Sequence, residues 1–332
     1  MTKKVLITPE CLYRQPGRHV ELFESCGFEV CYPEDITFTR GFYSIADSVQ
    51  VLADFDAVLA GSEGYSAELL DQLPRLRVIA RFGVGYDPVN VPRCTELGKA
   101  VTITPASTHE AVAEMTLALI FAVAKSVIPN DTSTRQGAWS RVVLYPIRER
   151  VIGLVGLGRI GRSTAVRAKA LGMEVIAHDQ FADADFVREH GIEMVSLEDL
   201  LRRSDYVSLH APMLPTTRHL INRETLALMK PDAVLVNTAR GGLVNEADLL
   251  VALTSGQIRA AALDVFEKEP PSPENPLFQL DNVVLAPHMS GLDHVSVANM
   301  AHEAAECITK LSQNIWPEGK VVNSELKTGW SW

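Results

Sequence analysis

Cysteine is scarce and unpatterned in this chain. Five occur in 332 residues: Cys11, Cys26, Cys31, Cys94 and Cys307. None forms a C-x-x-C pair, and an odd count in a long chain does not suggest a disulfide framework. A reducing, cytoplasmic setting is expected. Long apolar runs are also missing. No stretch approaches the ~20 residues that span a bilayer. The N-terminal run, Val5-Leu6-Ile7, is too short for a signal-peptide core. Positive charge is in deficit, with 31 Lys and Arg against 41 Asp and Glu, a net charge of −10. That disfavours nucleic acid and anionic membrane as partners. Two catalytic signatures are absent too. His302-Glu303-Ala304-Ala305-Glu306 lacks the second histidine of a zinc-binding H-E-x-x-H, and no G-x-S-x-G elbow occurs, so neither a metal centre nor a serine hydrolase is expected.

What is present is an ordinary globular composition, 47% hydrophobic and 22% charged. The length suits two domains. Short apolar runs alternate with amphipathic ones. Lys3–Thr8, Phe28–Tyr32, Ala57–Gly61, Arg77–Arg81 and Ala100–Ile103 read as strands, with helices over Arg18–Cys26, Ser66–Leu73 and Val91–Leu97. Thr108–Lys125 reads as a long helix, apolar nearly all round from Leu117 to Ala124. So wide an apolar surface must bury more than one side, at a domain junction or a homodimer interface. Pro129–Glu149 reads as irregular. A second series follows, with strands at Val151–Val155, Glu174–His178, Tyr206–Leu209, Ala233–Asn237, Ala260–Leu263 and Val283–Ala286, a helix at Arg159–Leu171 and a last helix at Val295–Gln313. The expected class is α/β, with parallel sheets covered by helices on both faces.

Gly156-Leu157-Gly158-Arg159-Ile160-Gly161 matches G-x-G-x-x-G, directly after a strand and at the start of a helix. The three glycines serve in turn a tight bend, close approach of backbone to a pyrophosphate, and close helix packing. The helix start offers free N–H groups and a positive dipole end to phosphate. Asp179 stands 18 residues after Gly161, at the end of the next strand. A carboxylate there bonds the adenine ribose hydroxyls and repels a 2′-phosphate, which favours NAD over NADP.

Arg240, Glu269 and His288 each follow a later strand, where open α/β sheets place ligands. Singly, each has an ordinary explanation: an arginine flanking a strand, a solvated loop charge, a half-buried loop histidine. Together they supply a planar cation, a carboxylate and a proton carrier.

The segments VGLGRIGR, VNTARGGLVNEADLLVAL, ALDVFEKEP and LAPHMSG resemble the D-2-hydroxyacid dehydrogenase family, particularly its phosphoglycerate-dehydrogenase-like branch. So do LPRLRVIARFGVGYDPVNV and TPASTHEAVAEMTLAL, and the likeness runs along nearly the whole chain. The resemblance implies two doubly wound parallel-sheet domains with a cleft between them. One is a Rossmann NAD-binding domain at 103–289. The other is a flavodoxin-like substrate domain at 1–102 plus 290–332. It implies Arg240 on the substrate carboxylate and C2 oxygen, His288 as acid/base and Glu269 as its orienting partner. Cofactor contacts would come from Gly156, Gly158, Arg159, Ile160, Gly161, Asp179, His210, Ala211, Pro212, Thr217, Thr238, Ala239, Arg240, Asp264, His288, Ser290 and Gly291. Substrate contacts would come from Ser62, Glu63, Gly64, Arg81, Gly83, Val84 and Gly85, beside Arg240 and His288, with backbone N–H groups of the two turns facing the carboxylate. The implied activity is hydride transfer between a D-2-hydroxy acid, phosphoglycerate-like or another small 2-hydroxy acid, and NAD, and the apolar helix points to a homodimer.

The pattern is departed from at two positions. Gly61 stands where that branch carries a phosphate-binding arginine, and Thr108 replaces an asparagine. Both leave the substrate open. No domain for serine feedback is expected beyond Trp332. Two other readings stand beside the dehydrogenase: an NAD(H)-sensing co-repressor or scaffold of the same superfamily, and formate dehydrogenase. In the latter a glutamine usually accompanies the histidine, and here Glu269 stands.

Overall fold

The computed structural model describes residues 2–332. Strands and helices alternate from the start: β1 (Lys3–Ile7), α1 (Arg18–Ser25), β2 (Phe28–Cys31), α2 (Ile45–Leu52), β3 (Ala57–Ala60), α3 (Ala67–Asp71), β4 (Val78–Arg81), α4 (Val91–Glu96) and β5 (Ala100–Thr102). Ser44, Ser66 and Asn90 cap α2, α3 and α4, each accepting a bond from a backbone N–H of the first turn. After a linker come α5 (His109–Ala124), α6 (Val127–Arg135), β6 (Val151–Val155), α7 (Arg159–Ala170), β7 (Glu174–His178), α8 (Ala184–His190), β8 (Glu193–Met194), α9 (Leu197–Arg203), β9 (Tyr206–Leu209), α10 (Arg223–Leu226), β10 (Val234–Asn237), α11 (Glu246–Thr254), β11 (Ala260–Leu263), β12 (Val283–Leu285) and α12 (His294–Ser312).

The chain divides into two units. One closes at Thr108 and resumes over Gly291–Trp332; the other is His109–Ser290. The boundary expected from the sequence is 102/103. Residues 103–108 go with the first unit because Ile103 and Thr104 still bond to it, through Lys320 O and Gly83 O.

The first unit has a five-stranded sheet in the order β2-β1-β3-β4-β5, with every pairing parallel. That is the flavodoxin-like order, with its reversal between β1 and β3. β3 and β4 are buried along their whole length, because helices cover both faces. Helix α12 packs on α1 and adds Ala301, Ala304, Ala305 and Ile308 to the core.

The second unit has a seven-stranded parallel sheet, β12-β11-β10-β9-β6-β7-β8. Its order reverses between β6 and β9, the Rossmann arrangement, so the strand ends around that point are where ligands bind. Helix α5 lies against α7 and β10–β12, burying Leu117, Leu119 and Ile120 within its own unit. The region read as irregular from Pro129 onward is corrected in part, because α6 occupies Val127–Arg135. Proline in a first turn has no N–H bond to lose there. The segment beyond it leaves Trp139 81% and Val143 98% exposed. No single helix among the described residues is long and apolar enough to cross a membrane.

Candidate active site

β6 delivers the chain to Gly156, whose φ is +100°. A Cβ there would lie 2.7 Å from the carbonyl carbon of His210 and 2.8 Å from the amide of Ala211. One on Gly161 would lie 2.2 Å from Gly156 O, so α7 starts hard against the turn. Gly158, the N-cap of α7, has open space where a Cβ would be, and no side chain caps the helix. The start of α7 is therefore an electropositive helix end with no N-cap side chain over it. Asp179 at the end of β7 accepts bonds from Leu157 N–H and Phe181 N–H, both 2.6 Å, so its carboxylate lies beside the glycine turn. On the other side, at the end of β9, Ser208 Oγ lies 3.0 Å from His210 Nε2. His210 Nδ1 is buried without a partner, and burial pushes the imidazole down to about 4, so it is neutral. Thr217 holds the turn after Ala211 and Pro212 by donating to Pro212 O at 2.7 Å. These features fit a dinucleotide: a cradle that only glycine leaves open, an electropositive helix start for phosphate, a carboxylate for ribose, and an orphaned imidazole nitrogen.

Three later strands bring the chemistry. Beyond β10, the buried Asn237 accepts from Ala239 N–H at 3.1 Å and donates to Arg240 O at 2.8 Å, fixing the loop that carries Arg240. Thr238 Oγ1 lies 2.9 Å from Thr116 Oγ1 of α5. Arg240 Nη1 donates to Ala239 O at 2.6 Å. Beyond β11, Asp264 is wholly buried, and its two oxygens accept from Met289 and Ser290 N–H, each at 2.9 Å. Its carbonyl takes His288 N–H at 2.7 Å. One residue thus sets the path of the loop after β12. His288 itself has φ +52°, a backbone region L side chains seldom occupy, held here by those bonds.

His288 Nδ1 lies 2.6 Å from Glu269 Oε2, and Phe266 N–H donates to Glu269 Oε1 at 2.9 Å. Burial acts to raise the Glu269 carboxyl. The His288 bond and charge, the Phe266 N–H and the Arg240 charge outweigh it, so the group lies below its usual range. Glu269 is ionised at neutral pH and sits beside the Arg240 guanidinium and the His288 ring. With Nδ1 bound to the carboxylate, Nε2 is the nitrogen left to exchange a proton. Arg240, Glu269 and His288 are thus brought together.

In the first unit the substrate loop differs from expectation. Ser62 N–H donates to Thr39 Oγ1 at 3.0 Å and its hydroxyl to Thr39 O at 2.8 Å, so neither is left for a carboxylate. Glu63 is 3% exposed and accepts from Thr8, Thr39 and Tyr65 hydroxyls at 2.6, 3.0 and 2.9 Å. Its carboxylate anchors the loop. Gly83 N–H is likewise taken, by Thr104 Oγ1 at 3.0 Å. Val84 and Gly85 lie in the turn beyond it, steadied by Arg81, whose Nε donates to Gly85 O at 3.1 Å. Gly64 meets nothing closer than Pro88 O, 3.8 Å from a built Cβ. A Cβ on Gly61 would fall 1.9 Å from Thr39 Oγ1.

Residues 117–290, more than half of the chain, match the model of the D-isomer specific 2-hydroxyacid dehydrogenase NAD binding domain. The chain belongs to that family. It is 39% identical over 285 residues to a glyoxylate reductase of Korarchaeum cryptofilum, covering 84% of this chain and 86% of that one. It is 42% identical over 242 residues to a D-3-phosphoglycerate dehydrogenase of Methanocaldococcus jannaschii, covering 71% of this chain and 45% of the longer relative. A solved D-lactate dehydrogenase from Aquifex aeolicus, complexed with NAD and lactic acid, superposes with a TM-score of 0.81 at 26% identity, covering 96% and 99% of the two chains.

As a D-2-hydroxyacid dehydrogenase, the chain is an NAD-dependent hydride-transfer oxidoreductase. The supports of its site are not evident in the sequence. Asn237 lies within VNTARG, and nothing but its place in that segment marks it as the residue that shapes the loop. Thr39 gives no local signal, since its partners Ser62 and Glu63 lie 23 and 24 residues away.

Proposed function

We propose that this dehydrogenase reduces small, unphosphorylated 2-keto acids of the glyoxylate class, with NADH, in a reducing cytoplasm. The observation that carries the substrate class is the 1.9 Å approach of Thr39 Oγ1 to the Cβ position of Gly61. In the branch with phosphorylated substrates that position carries a cation. Here the space a side chain would leave through is filled, and a distal phosphate loses a charge-assisted partner. The glyoxylate reductase relative, matched over 86% of its own length, supports the same choice.

Arg240 binds the carboxylate and polarises the C2 oxygen, using the paired donors of its planar guanidinium. His288 Nε2 gives its proton to that oxygen in reduction and takes it back in oxidation. Glu269 holds the ring and stabilises the imidazolium. A bound nicotinamide would supply the hydride to C2 and take it back in the reverse direction. Glycine turn 156–161 and Asp179 would hold the cofactor. We also propose a homodimer that covers the exposed Trp139, Val142 and Val143, which a monomer would leave in water. The five free thiols suit a reducing compartment.

The test is a panel of 2-keto acids, with and without a phosphate, followed by loss of NADH absorbance. Highest kcat/KM on an unphosphorylated two- or three-carbon keto acid is expected. Preference for a phosphorylated substrate overturns the assignment. Sedimentation at micromolar concentration tests the dimer, which a monomer refutes.

A further inference from the structure

The second unit holds another histidine–glutamate pair, which the chemistry above does not use. His219 Nε2 lies 2.5 Å from Glu267 Oε1. Both side chains are about one-third exposed or less, at 31% and 29%. His219 lies beyond β9, and Glu267 lies beyond β11, two residues before Glu269. We infer that His219 and Glu267 form a positioning pair that locks the loop of Arg240 to the loop of Glu269, and so sets the geometry of the reacting groups. The inference rests on the proposed roles of those two residues.

The bonds run in both directions. Glu267 Oε2 accepts from Glu246 N–H at 3.0 Å, and Glu267 N–H donates back to Glu246 Oε1 at 2.6 Å. This doubly fastens the Glu269 loop to the start of α11, which follows the Arg240 loop. His219 N–H donates to Gly242 O at 2.8 Å, and Ile221 and Asn245 continue the ladder through Ile221 N–H to Leu243 O and Asn245 N–H to Ile221 O. The backbone of 219–221 therefore grips segment 242–245, and the His219 ring grips Glu267.

The two loops also ride directly on each other. A Cβ on Gly241 would lie 1.8 Å from the carbonyl carbon of Phe266 and 2.4 Å from the amide of Glu267. Gly241 adjoins Arg240, and Phe266 N–H is the donor that holds Glu269. A shift of Phe266 thus moves both the backbone against Gly241 and the anchor of Glu269. His219 is held at φ +50°, uncommon for a side-chain-bearing residue, and the ring bond to Glu267 accompanies that conformation. An ordinary surface ion pair has no such connections and contributes little.

The experiment compares His219→Ala, His219→Gln, Glu267→Ala and Glu267→Gln in the full chain. Three quantities are read: keto-acid kcat and KM, NADH affinity by fluorescence, and amide hydrogen exchange of segments 240–246 and 266–269 without added cofactor. Each alanine variant is expected to lose roughly 10- to 100-fold in kcat/KM, because misplacement by a fraction of an ångström is felt in the reacting geometry. NADH affinity, set at the glycine turn and Asp179, stays within about twofold, and exchange quickens in both segments. Glutamine at 219 reaches Glu267 with its amide and recovers most of the loss. The double alanine variant is no worse than the more damaged single one, since the two act as a unit. Unchanged kcat/KM and exchange in His219→Ala overturn the inference, as does failure of glutamine to recover either. If the unmodified chain turns over no 2-keto acid, the functional reading fails, while the exchange measurement still decides whether the pair locks the loops. Should the alanine variants not fold, the two glutamine variants must keep native exchange, and accelerated exchange in both refutes the pair.

Discussion

Glu269 joins two loops by a pair of short contacts, one oxygen 2.6 Å from His288 Nδ1 and the other 2.9 Å from Phe266 N–H. This leaves one imidazole nitrogen for the substrate and makes His288 the first residue to test. His288→Ala is expected to lower kcat by about 10²- to 10⁴-fold, the usual scale for a general acid/base. NADH should still bind. Steady-state kinetics beside fluorescence titration check both, and near-normal turnover removes His288 from its role.

The same contacts give a pH signature. The Glu269 carboxyl lies below its ordinary 4.5 in the folded chain, so its contribution to stability is complete above that value. It is lost as pH falls through the lower folded value. Urea unfolding should therefore show the native chain more stable than Glu269→Gln at neutral pH, with the gap closing as pH falls below 4.5. A gap that widens on acidification contradicts the assignment.

Arg240→Lys keeps the charge and loses the fork. A loss of roughly 10²-fold in kcat/KM is expected, since a lysine cannot bond a carboxylate and the C2 oxygen in one plane. Wild-type kcat/KM in that variant would show that charge alone suffices.

Asp179→Ala removes the carboxylate that Leu157 and Phe181 amides hold beside the glycine turn. NAD affinity should fall by roughly 10-fold or more, the scale of a hydrogen bond to a charged group, and NADP should be discriminated against less. Cofactor titrations measure the ratio, and an unaltered preference would sink the ribose role.

Gly61→Ala should destabilise by about 1–3 kcal/mol through overpacking, because its Cβ falls on Thr39 Oγ1 at 1.9 Å. Thr39→Ala should relieve much of this, leaving a 3.1 Å approach between the two Cβ positions. Gly61→Arg alone should gain no activity on phosphorylated keto acids. Denaturation midpoints and the substrate panel test these in turn.

Patterns confined to a short stretch of chain are readable in the sequence. The strand–glycine–helix unit at 151–170 declares itself because each of its constraints is local. Arg240, Glu269 and His288 are visible as strand-end groups for the same reason. What escapes depends on distant partners. Glu63 reads from the sequence as a substrate contact, and bonds from Thr8, 55 positions away, and Thr39, beside Tyr65, make it a buried anchor. The His219–Glu267 pair spans 48 positions and leaves no trace in either neighbourhood. Helix α6 is hidden by Pro129, a breaker in general but harmless in a first turn.

The proton-handling groups are wired to one another inside a single stretch, Arg240 to His288, of one unit. Thr39 and Gly61 belong to the other unit. Substitutions at Thr39 or Gly61 can therefore accumulate while the acid–base engine is inherited intact as one contiguous segment of the chain.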